Sequence, residues 1–443
     1  MREVVARAAL MLALAAAGAW AQPAGVTAEL VPAPEGATVR VTPEGPLRTR
    51  IEVSCSADVG PEPLTVRLDI TPRWPHYYLD TMVLDADGRP LTCTWRSSQR
   101  NRVEVTVPAQ SATYFLQVAD PRAGRPPLPD EAQRSVRDPA TGLEATICRW
   151  FDGRAAALSL RFDDSHPTHI LKAVPMLREY GFTGTFFINP GSGDYLAHAD
   201  EWADCAAEGD QEFANHSMHH RGASSDEEAD REIGDASRHI WELFPGRSRL
   251  LAWSEGGGTT WTHTRPLREI LDRYHLFDAY GQPGISMADS YGERVEAYRQ
   301  GVDEAIASGG WFTALFHQIG ESISDENFRA VLELTRERQD SLWIAGMAAV
   351  HKYLTERNAA SLRCTAIDGD GVRLTVTCAT DRTLYDQPLT IAVTPPAGWE
   401  VGQLHVTDAE GTPVQTRARP SEGGAVLLFD VPPVTADYVV RRD

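Results

Sequence analysis

The sequence contains 443 residues, of which 42% are hydrophobic, and it carries a formal net charge of -20. This length exceeds that of one typical domain and predicts two or three domains, each with a hydrophobic core. The acidic excess argues against a polyanionic partner such as nucleic acid, because phosphate binding needs a basic surface, but it leaves a neutral glycan open.

Residues 1–21 resemble a secretory signal peptide. Arg2 and Arg7 precede the apolar run ALMLALAAAGAW, and the tripeptide AWA ending at Ala21 has the form of a cleavage site. The run is short for a membrane span, and no later stretch is long and apolar enough to cross a bilayer. We therefore expect a secreted or periplasmic protein with no transmembrane segment after signal removal.

Six cysteines follow this segment, and export would permit disulfides. Cys364 and Cys378 flank the turn signal IDGDG and are candidates to face each other across a hairpin. Cys55 and Cys93 share the N-terminal region and are a second candidate pair. The alternative for each cysteine is a role as a small buried hydrophobic residue.

Residues 22–120 predict an all-β domain. Alternating stretches such as VTAELV, RTRIEVSC, LTVRLDI and RVEVTV are separated by Pro and Gly turns, which is typical of a β-sandwich. Residues 121–144 are rich in Pro and charge and lack periodicity, so they predict a linker.

Residues 145–358 alternate strands with helices. The strand ALSLRFD precedes the helix HILKAVPMLREYG, and the strand WFTALFH lies near the end of the series. Repeated β-α units, with about seven strands, predict the α/β class and a parallel (β/α) barrel. Residues 359–443 return to short alternating strands and predict a C-terminal β-sandwich domain.

Polar side chains stand where the strands of the predicted barrel end. Asp163 and Asp164 end the first strand, His216 ends QEFANH, and His317 ends WFTALFH. Functional groups of parallel α/β folds gather at the C-terminal ends of strands. Two adjacent carboxylates are also costly unless a neighbouring group uses them.

The segment HSMHH carries histidines at metal-ligand spacing. His216 and His220 are four residues apart, and His219 is an alternative partner. Two imidazoles and one carboxylate leave a fourth position for water, as in catalytic zinc sites. A chance cluster of surface histidines is the alternative, but the strand-end carboxylates and His317 favour metal binding.

These motifs resemble those of the polysaccharide deacetylases of carbohydrate esterase family 4, the NodB-homology domain. The matching stretches are FDD, the TGTFFIN strand, EGDQEFANHS with HSMHH, and LFH, and together they cover about residues 155–355. The resemblance implies an irregular (β/α) barrel, which agrees with the strand pattern. It implies nothing about the two β domains.

The resemblance also implies a role for each matching residue. Asp163 would be the catalytic base, and His317 the general acid that protonates the leaving amine or alcohol. Asp164, His216 and His220 would bind a divalent metal, usually zinc, although cobalt or another divalent ion can serve.

Two family motifs are altered. An arginine usually orients the base, but the corresponding stretch reads LLAWSEGGGTTW, which places Ala252 at the arginine position; Gly256 matches. The Asp-rich motif that steadies the acid is also not evident, and Asp278 is the candidate for it. Trp253, Glu255 and Trp261 are candidates for reshaping the sugar site, with core packing as the alternative for the tryptophans.

The sequence thus predicts an exported metal-dependent hydrolase that removes N- or O-linked acetyl groups from a polysaccharide or oligosaccharide. One alternative is a non-catalytic or weakly active glycan-binding protein on the same fold, which the altered arginine motif favours. The retained Asp163 and His317 oppose it. Another alternative is a metal hydrolase acting on a non-sugar amide.

Overall fold

A computed structural model of the chain confirms the predicted fold class. The protein is α/β, with an irregular (β/α) barrel and β domains N-terminal and C-terminal to it. Residues 1–21, the predicted signal peptide, lie outside the described part of the chain. Within the described part, no helix is long and apolar enough to span a membrane. The residues described are 25–45, 47–71, 77–118, 131–280, 282–368, 371–421 and 424–442.

The chain divides into two compact units that are not contiguous in sequence. One unit holds the described residues up to 118 together with 220–235 and 255–274. The other holds 131–219, 236–254 and the described residues from 275 onward. The domain boundaries predicted from the sequence do not include this exchange of segments, and they remain predictions.

The first described strands form the N-terminal β domain. Their apolar residues alternate with polar ones, so each strand buries one face. Ile51 and Leu116 come from one sheet and Val66 and Val105 from another, and all four lie in a single buried core. The strands are β1 (Gly25–Leu30), β2 (Ala37–Gly45), β3 (Arg48–Cys55), β4 (Leu64–Thr71), β5 (Thr81–Leu84), β6 (Pro90–Leu91), β7 (Cys93–Arg96), β8 (Arg102–Val107) and β9 (Ala112–Val118), with helix α1 (Tyr77–Asp80) before β5.

The C-terminal β domain begins inside the predicted linker. Strands β10 (Ser135–Arg137) and β11 (Glu144–Ile147) pair with each other, and β11 pairs with the much later strand Leu389–Thr394. This pairing is non-local, so composition alone does not indicate it. The residues before 131 in that linker lie outside the described part.

The barrel sheet is parallel and is built around one central strand. Strand β12 (Ala156–Asp163) is buried along its whole length, as expected of a strand covered on both faces. The eight strands run in the order β18-β16-β14-β13-β12-β20-β19, with β21 on the first half of β12. The other strands of this sheet are β13 (Gly184–Ile188), β14 (Glu212–Asn215), β16 (Leu251–Trp253), β18 (Leu276–Asp278), β19 (Gly284–Ser286), β20 (Trp311–Phe316) and β21 (Leu342–Ile344). Two strands of the same stretch of chain, β15 (Gly222–Ala223) and β17 (Thr260–His263), belong to another sheet.

The two faces of β12 carry different chemistry. Phe162 stacks on Phe186 and Phe316, with ring centroids 4.7 Å and 5.2 Å away, and it meets Phe328 edge-on. Because side chains alternate along a strand, Arg161 and Asp163 share the opposite face. The strand therefore presents an apolar face to one side and a charged pair to the other.

Helices follow most strands of the barrel, as the periodicity predicts. A five-residue π-helical turn, His169–Ala173, leads into the first of them. Glu228 N–H donates to Ser225 Oγ at 3.2 Å, which caps the start of the long helix Asp226–Leu243. The helices are α2 (Val174–Tyr180), α3 (Gly193–Leu196), α4 (Ala199–Glu208), α5 (Asp226–Leu243), α6 (Leu267–Arg273), α7 (Arg294–Ser308), α8 (Asp325–Glu337) and α9 (Met347–Ala359).

The C-terminal β domain contains two antiparallel sheets around one core. One sheet has the order β10-β11-β24-β27-β26, and the other has the order β22-β23-β28-β25. Its remaining strands are β22 (Ser361–Ile367), β23 (Gly371–Thr377), β24 (Leu389–Thr394), β25 (Leu404–Asp408), β26 (Thr416–Ser421), β27 (Gly424–Val431) and β28 (Ala436–Arg442).

Strands β15 and β17 extend a sheet of the N-terminal β domain. The six-stranded sheet runs β1-β4-β8-β7-β17-β15, and β17 pairs antiparallel with β7. Thr94 and Thr262 hydroxyls meet at 3.0 Å across this pairing. Segments from the middle of the sequence thus complete a sheet that the first strands begin.

The disulfide candidates are wrong, because all six cysteines are free. Cys364 stands opposite Leu374 in the β22–β23 register, so Cys378 is not its cross-strand partner. Cys55 and Cys93 lie on strands of different sheets. The alternative role as buried hydrophobic residues holds for Cys93 and Cys378.

A buried carboxyl in α9 makes stability depend on pH. Burial raises the pKa of Glu356 from 4.5 to about 8, although Gln387 N–H donates to its Oε1 at 3.0 Å. Between these two values the folded state holds a proton that the unfolded state releases. Stability therefore falls as the pH rises from about 4.5 to about 8.

We expect Glu356→Gln to be more stable than wild type at pH 9, by on the order of 1–2 kcal/mol, with a much smaller difference at pH 5. The amide removes the ionisation but retains an acceptor for Gln387. Urea unfolding at both pH values measures the difference, with the exposed Glu337→Gln as the matched control. An equal effect at both pH values would contradict this prediction.

Candidate active site

The site lies where parallel strands end on one edge of the barrel sheet. Asp163 is the last residue of β12, Asn215 is the last of β14, and His317 follows β20 directly. Strand β12 pairs with β20 on one side, and on its other side β13 separates it from β14. The carboxyl ends of neighbouring parallel strands meet at the same edge, so residues far apart in sequence become neighbours.

Asp163 is held by an arginine from its own strand. Arg161 Nε donates to Asp163 Oδ1 at 2.7 Å, and Arg161 Nη2 donates to Asp163 Oδ2 at 2.5 Å. Burial alone would raise the pKa of Asp163, but the Arg161 charge, His216 and the hydrogen bonds outweigh it, so the pKa lies below its ordinary value. The Asp163 carboxylate is therefore ionised and able to accept a proton.

His216 is oriented by a backbone carbonyl. Its Nδ1–H donates to the Ser254 carbonyl oxygen at 2.9 Å, and its Nε2 lies 3.1 Å from Asp164 Oδ1. A histidine that donates through one ring nitrogen can offer the lone pair of the other to a metal ion.

Asp164, His216 and His220 form a group able to hold a cation. One ligand atom from each residue lies within 4.8 Å of the others. One carboxylate oxygen and two imidazole nitrogens are the donors that zinc accepts in catalytic sites. The residues present therefore fit a divalent ion of this kind.

Backbone strain is concentrated at the same residues. Asp164, Ser165, Ser217 and His220 are non-glycine residues with φ of 83°, 55°, 66° and 56°. A left-handed conformation costs such residues about 1–3 kcal/mol each and clusters at functional sites. Two of the four belong to the possible metal group.

Asn189, at the end of β13, fastens the histidine loop. Its Nδ2 donates to the carbonyl oxygens of His216, at 2.5 Å, and Ser217, at 3.0 Å. Its own N–H donates to Ser165 Oγ at 2.7 Å, which ties this loop to the one after β12. The loop that carries His216 is thus held by Asn189, a residue that the sequence motifs do not single out.

His317 stands at the rim of the site. Its Nε2 lies 3.6 Å from Asp164 Oδ2, and its side chain is 38% exposed, so its ring is accessible from solvent. His169 Nε2–H donates to the His317 carbonyl oxygen at 2.5 Å, and burial lowers the pKa of His169 to about 3. A neutral, buried histidine thus positions the backbone of His317. Asp278, the candidate for steadying the acid, instead accepts a hydrogen bond from Tyr280 N–H through its Oδ1.

Trp253, Glu255 and Trp261 are at most 2% exposed. Trp261 stacks on Trp95 with ring centroids 6.1 Å apart, and Glu255 forms an ion pair with Arg100. This burial favours core packing, the alternative left open for the tryptophans. Their contact with a sugar remains a prediction that the geometry does not support.

Three residues of the site are not evident from the sequence motifs: Arg161, Asn189 and His169. In the sequence, Arg161 is one of the polar residues that alternate with apolar ones along a strand, and Asn189 lies where a strand ends. His169 follows the carboxylates closely enough to suggest a loop residue near the cleft. A signal for Arg161 exists, because a charge two residues before Asp163 on a buried strand must share its face.

A family model supports the resemblance found in the sequence. Residues 152–272 match the model described as "Polysaccharide deacetylase". This segment includes β12, the aspartate pair and the HSMHH loop. The resemblance to the NodB-homology domain of carbohydrate esterase family 4 is therefore confirmed.

Individual relatives are more distant. A gellan lyase from a Bacillus species is 24% identical over 334 residues, which is 66% of this chain but only 13% of that protein. A family 4 pseudoenzyme from Bacillus anthracis is 16% identical, with a TM-score of 0.33, over 44% of this chain and 64% of that one. A family 4 acetyl xylan esterase from Clostridium thermocellum, solved with a cobalt ion, is 18% identical, with a TM-score of 0.32, over 44% of this chain and 89% of that one.

Gly256 leaves room for His220. A Cβ at position 256 would lie 2.6 Å from His220 Nε2, whereas a Cβ at Gly257 would meet nothing within 4 Å. We expect Gly256→Ala to weaken zinc affinity about 10–100-fold by displacing the imidazole. Isothermal titration calorimetry of the metal-free protein measures it, with Gly257→Ala as the matched control; equal affinities in the two variants would refute the prediction.

Proposed function

We propose, from the polysaccharide deacetylase match of residues 152–272, that the protein is an exported metal-dependent hydrolase acting on a glycan. It removes acetyl groups, N- or O-linked, from a polysaccharide or oligosaccharide. Asp164, His216 and His220 hold the metal, with zinc as the first ion to test and cobalt as the second. The observation that carries the proposal is a strand-end carboxylate, held by Arg161 through both oxygens, beside a group of three metal-compatible ligands.

In the proposed reaction, three residues hold the metal ion and two others transfer protons. When bound, the ion would polarise the acetyl carbonyl and lower the pKa of a water molecule. Asp163 accepts the proton of the attacking water, and His317 donates a proton to the departing sugar amine or alcohol. Acetate and the deacetylated glycan are the products.

The different environments of Asp163 and His317 support these roles. Asp163 is 4% exposed and has both oxygens on Arg161, which suits a base of fixed orientation. His317 has a side chain 38% exposed, which suits an acid that must reach a leaving group of variable size. Their different environments allow one carboxylate and one imidazole to act in opposite directions.

A glycan-binding protein without catalysis is the second candidate. The observation that favours it is Ala252, a fully buried alanine at the position where the family motif has its arginine. Retention of Asp163 and His317 opposes it. Hydrolysis of a non-sugar amide uses the same residues, and a substrate panel distinguishes it.

Asp163→Asn is expected to reduce acetate release at least about 100-fold, because the amide cannot accept a proton. The zinc content stays unchanged, since Asp163 is outside the group of three ligands. Acetate is measured for purified protein with added zinc or cobalt on a panel of acetylated glycans, beside Asp210→Asn, which replaces an exposed carboxylate paired with Arg178. Release by wild type that persists in Asp163→Asn would refute the role of the base.

His317→Asn is expected to discriminate between leaving groups. An amine or sugar alcohol needs a proton to depart, so its release falls about 100-fold, whereas an aryl acetate whose phenolate departs unaided changes less than about fivefold. Parallel assays with an acetylated glycan and 4-nitrophenyl acetate measure the ratio. An equal loss for both substrates would show that His317 does not act as the acid.

A further inference from the structure

We propose that Arg161 is the positioning residue that orients the Asp163 carboxylate, in place of the arginine whose position in the family motif is occupied here by Ala252. The inference rests on the proposed function, because it concerns the residue assigned as the base. The arginine that orients the base would thus come from β12, the strand that carries the base, and not from the position of the family motif.

The contact between the two side chains fixes both oxygens of the carboxylate. Arg161 Nε and Nη2 donate to separate oxygens of Asp163, at 2.7 Å and 2.5 Å. A planar guanidinium that spans both oxygens restricts rotation of the carboxylate as well as its position. Residues two apart on a strand share a face, so no loop movement is needed to form this pair.

Arg161 is itself held in place by its surroundings. Its Nη2 donates to Ser254 Oγ at 2.7 Å, and its guanidinium carbon lies 4.2 Å from the centroid of the Phe187 ring. The residue is 8% exposed. A hydrogen bond, an aromatic face and the carboxylate thus constrain the guanidinium on several sides.

The motif position and the observed arginine meet in one region of the interior. Ala252 is fully buried and belongs to the same hydrophobic cluster as Phe187, on which Arg161 stacks. Position 252 supplies no cation, and the cation paired with Asp163 comes from β12 instead.

A purely structural role would make a different prediction. A buried carboxylate needs a positive neighbour for stability, and any cation of suitable reach provides one. Orientation for proton transfer also needs two donors in a plane, which lysine lacks. Arg161→Lys therefore separates compensation of charge from control of geometry.

The experiment compares the zinc-loaded variants Arg161→Lys, Arg161→Gln, Asp163→Asn and the double variant Arg161→Gln/Asp163→Asn with wild type. Steady-state acetate release on a glycan that wild type cleaves gives kcat and KM separately, and each variant is checked for zinc content and melting temperature. The matched control is Arg417→Lys, which alters another bidentate pair, Arg417 with Asp430 at 2.9 Å and 3.1 Å, in the C-terminal β domain.

We expect Arg161→Lys to lower kcat about 10–100-fold with KM within about threefold and zinc retained, because the loss concerns reaction geometry. Arg417→Lys keeps kcat within about twofold of wild type. The double variant is no slower than Asp163→Asn alone, since residues that act as a unit are not additive. The lysine and double variants keep the test decisive if Arg161→Gln does not fold.

A folded Arg161→Lys with kcat within about twofold of wild type would overturn the inference and leave the proposed function intact. So would a double variant much slower than Asp163→Asn, or a loss of kcat that follows a loss of zinc. Wild type that releases no acetate from any glycan would overturn the proposed function, and the inference with it.

Discussion

Two adjacent carboxylates at the end of a buried strand repel each other, and the site depends on how this repulsion is relieved. Asp163 continues the strand and meets Arg161 on its own face. Asp164 leaves the strand with a φ of 83°, and its oxygen meets the His216 ring instead. The turn between them therefore gives each carboxylate a separate partner. Pairing with fixed positive or polar groups is what allows charge to persist in an interior of low dielectric.

The same separation organises the loops around the strand ends. Asn189 holds the histidine loop through two carbonyl oxygens, and His169 holds the carbonyl of His317. Buried polar groups of this kind must be satisfied, so each one restricts the backbone that it contacts. The residues proposed to perform chemistry consequently depend on neighbours that are themselves buried. Rigid support of this type is what orients catalytic groups closely enough to react.

Much of the barrel and of the possible metal group is predictable from the sequence, because both follow local patterns. Strand periodicity and the HSMHH spacing are readable within a few residues. The origin of the cation beside Asp163 is not readable from a motif, since the motif position holds Ala252. Strand β17 is missed for a related reason. Its partner β7 is distant in sequence, as the Thr94–Thr262 contact across 168 residues shows, and its own residues lie next to a helical pattern.

The sheet that β17 completes has a consequence for the order of events during folding. Strand β7 pairs with Thr260–His263, which lie much later in the chain, so this edge has no partner in an intermediate in which only the first strands have folded. Unpaired strand edges attract other strands. Such an intermediate is therefore open to wrong pairing at this edge until Thr260–His263 dock.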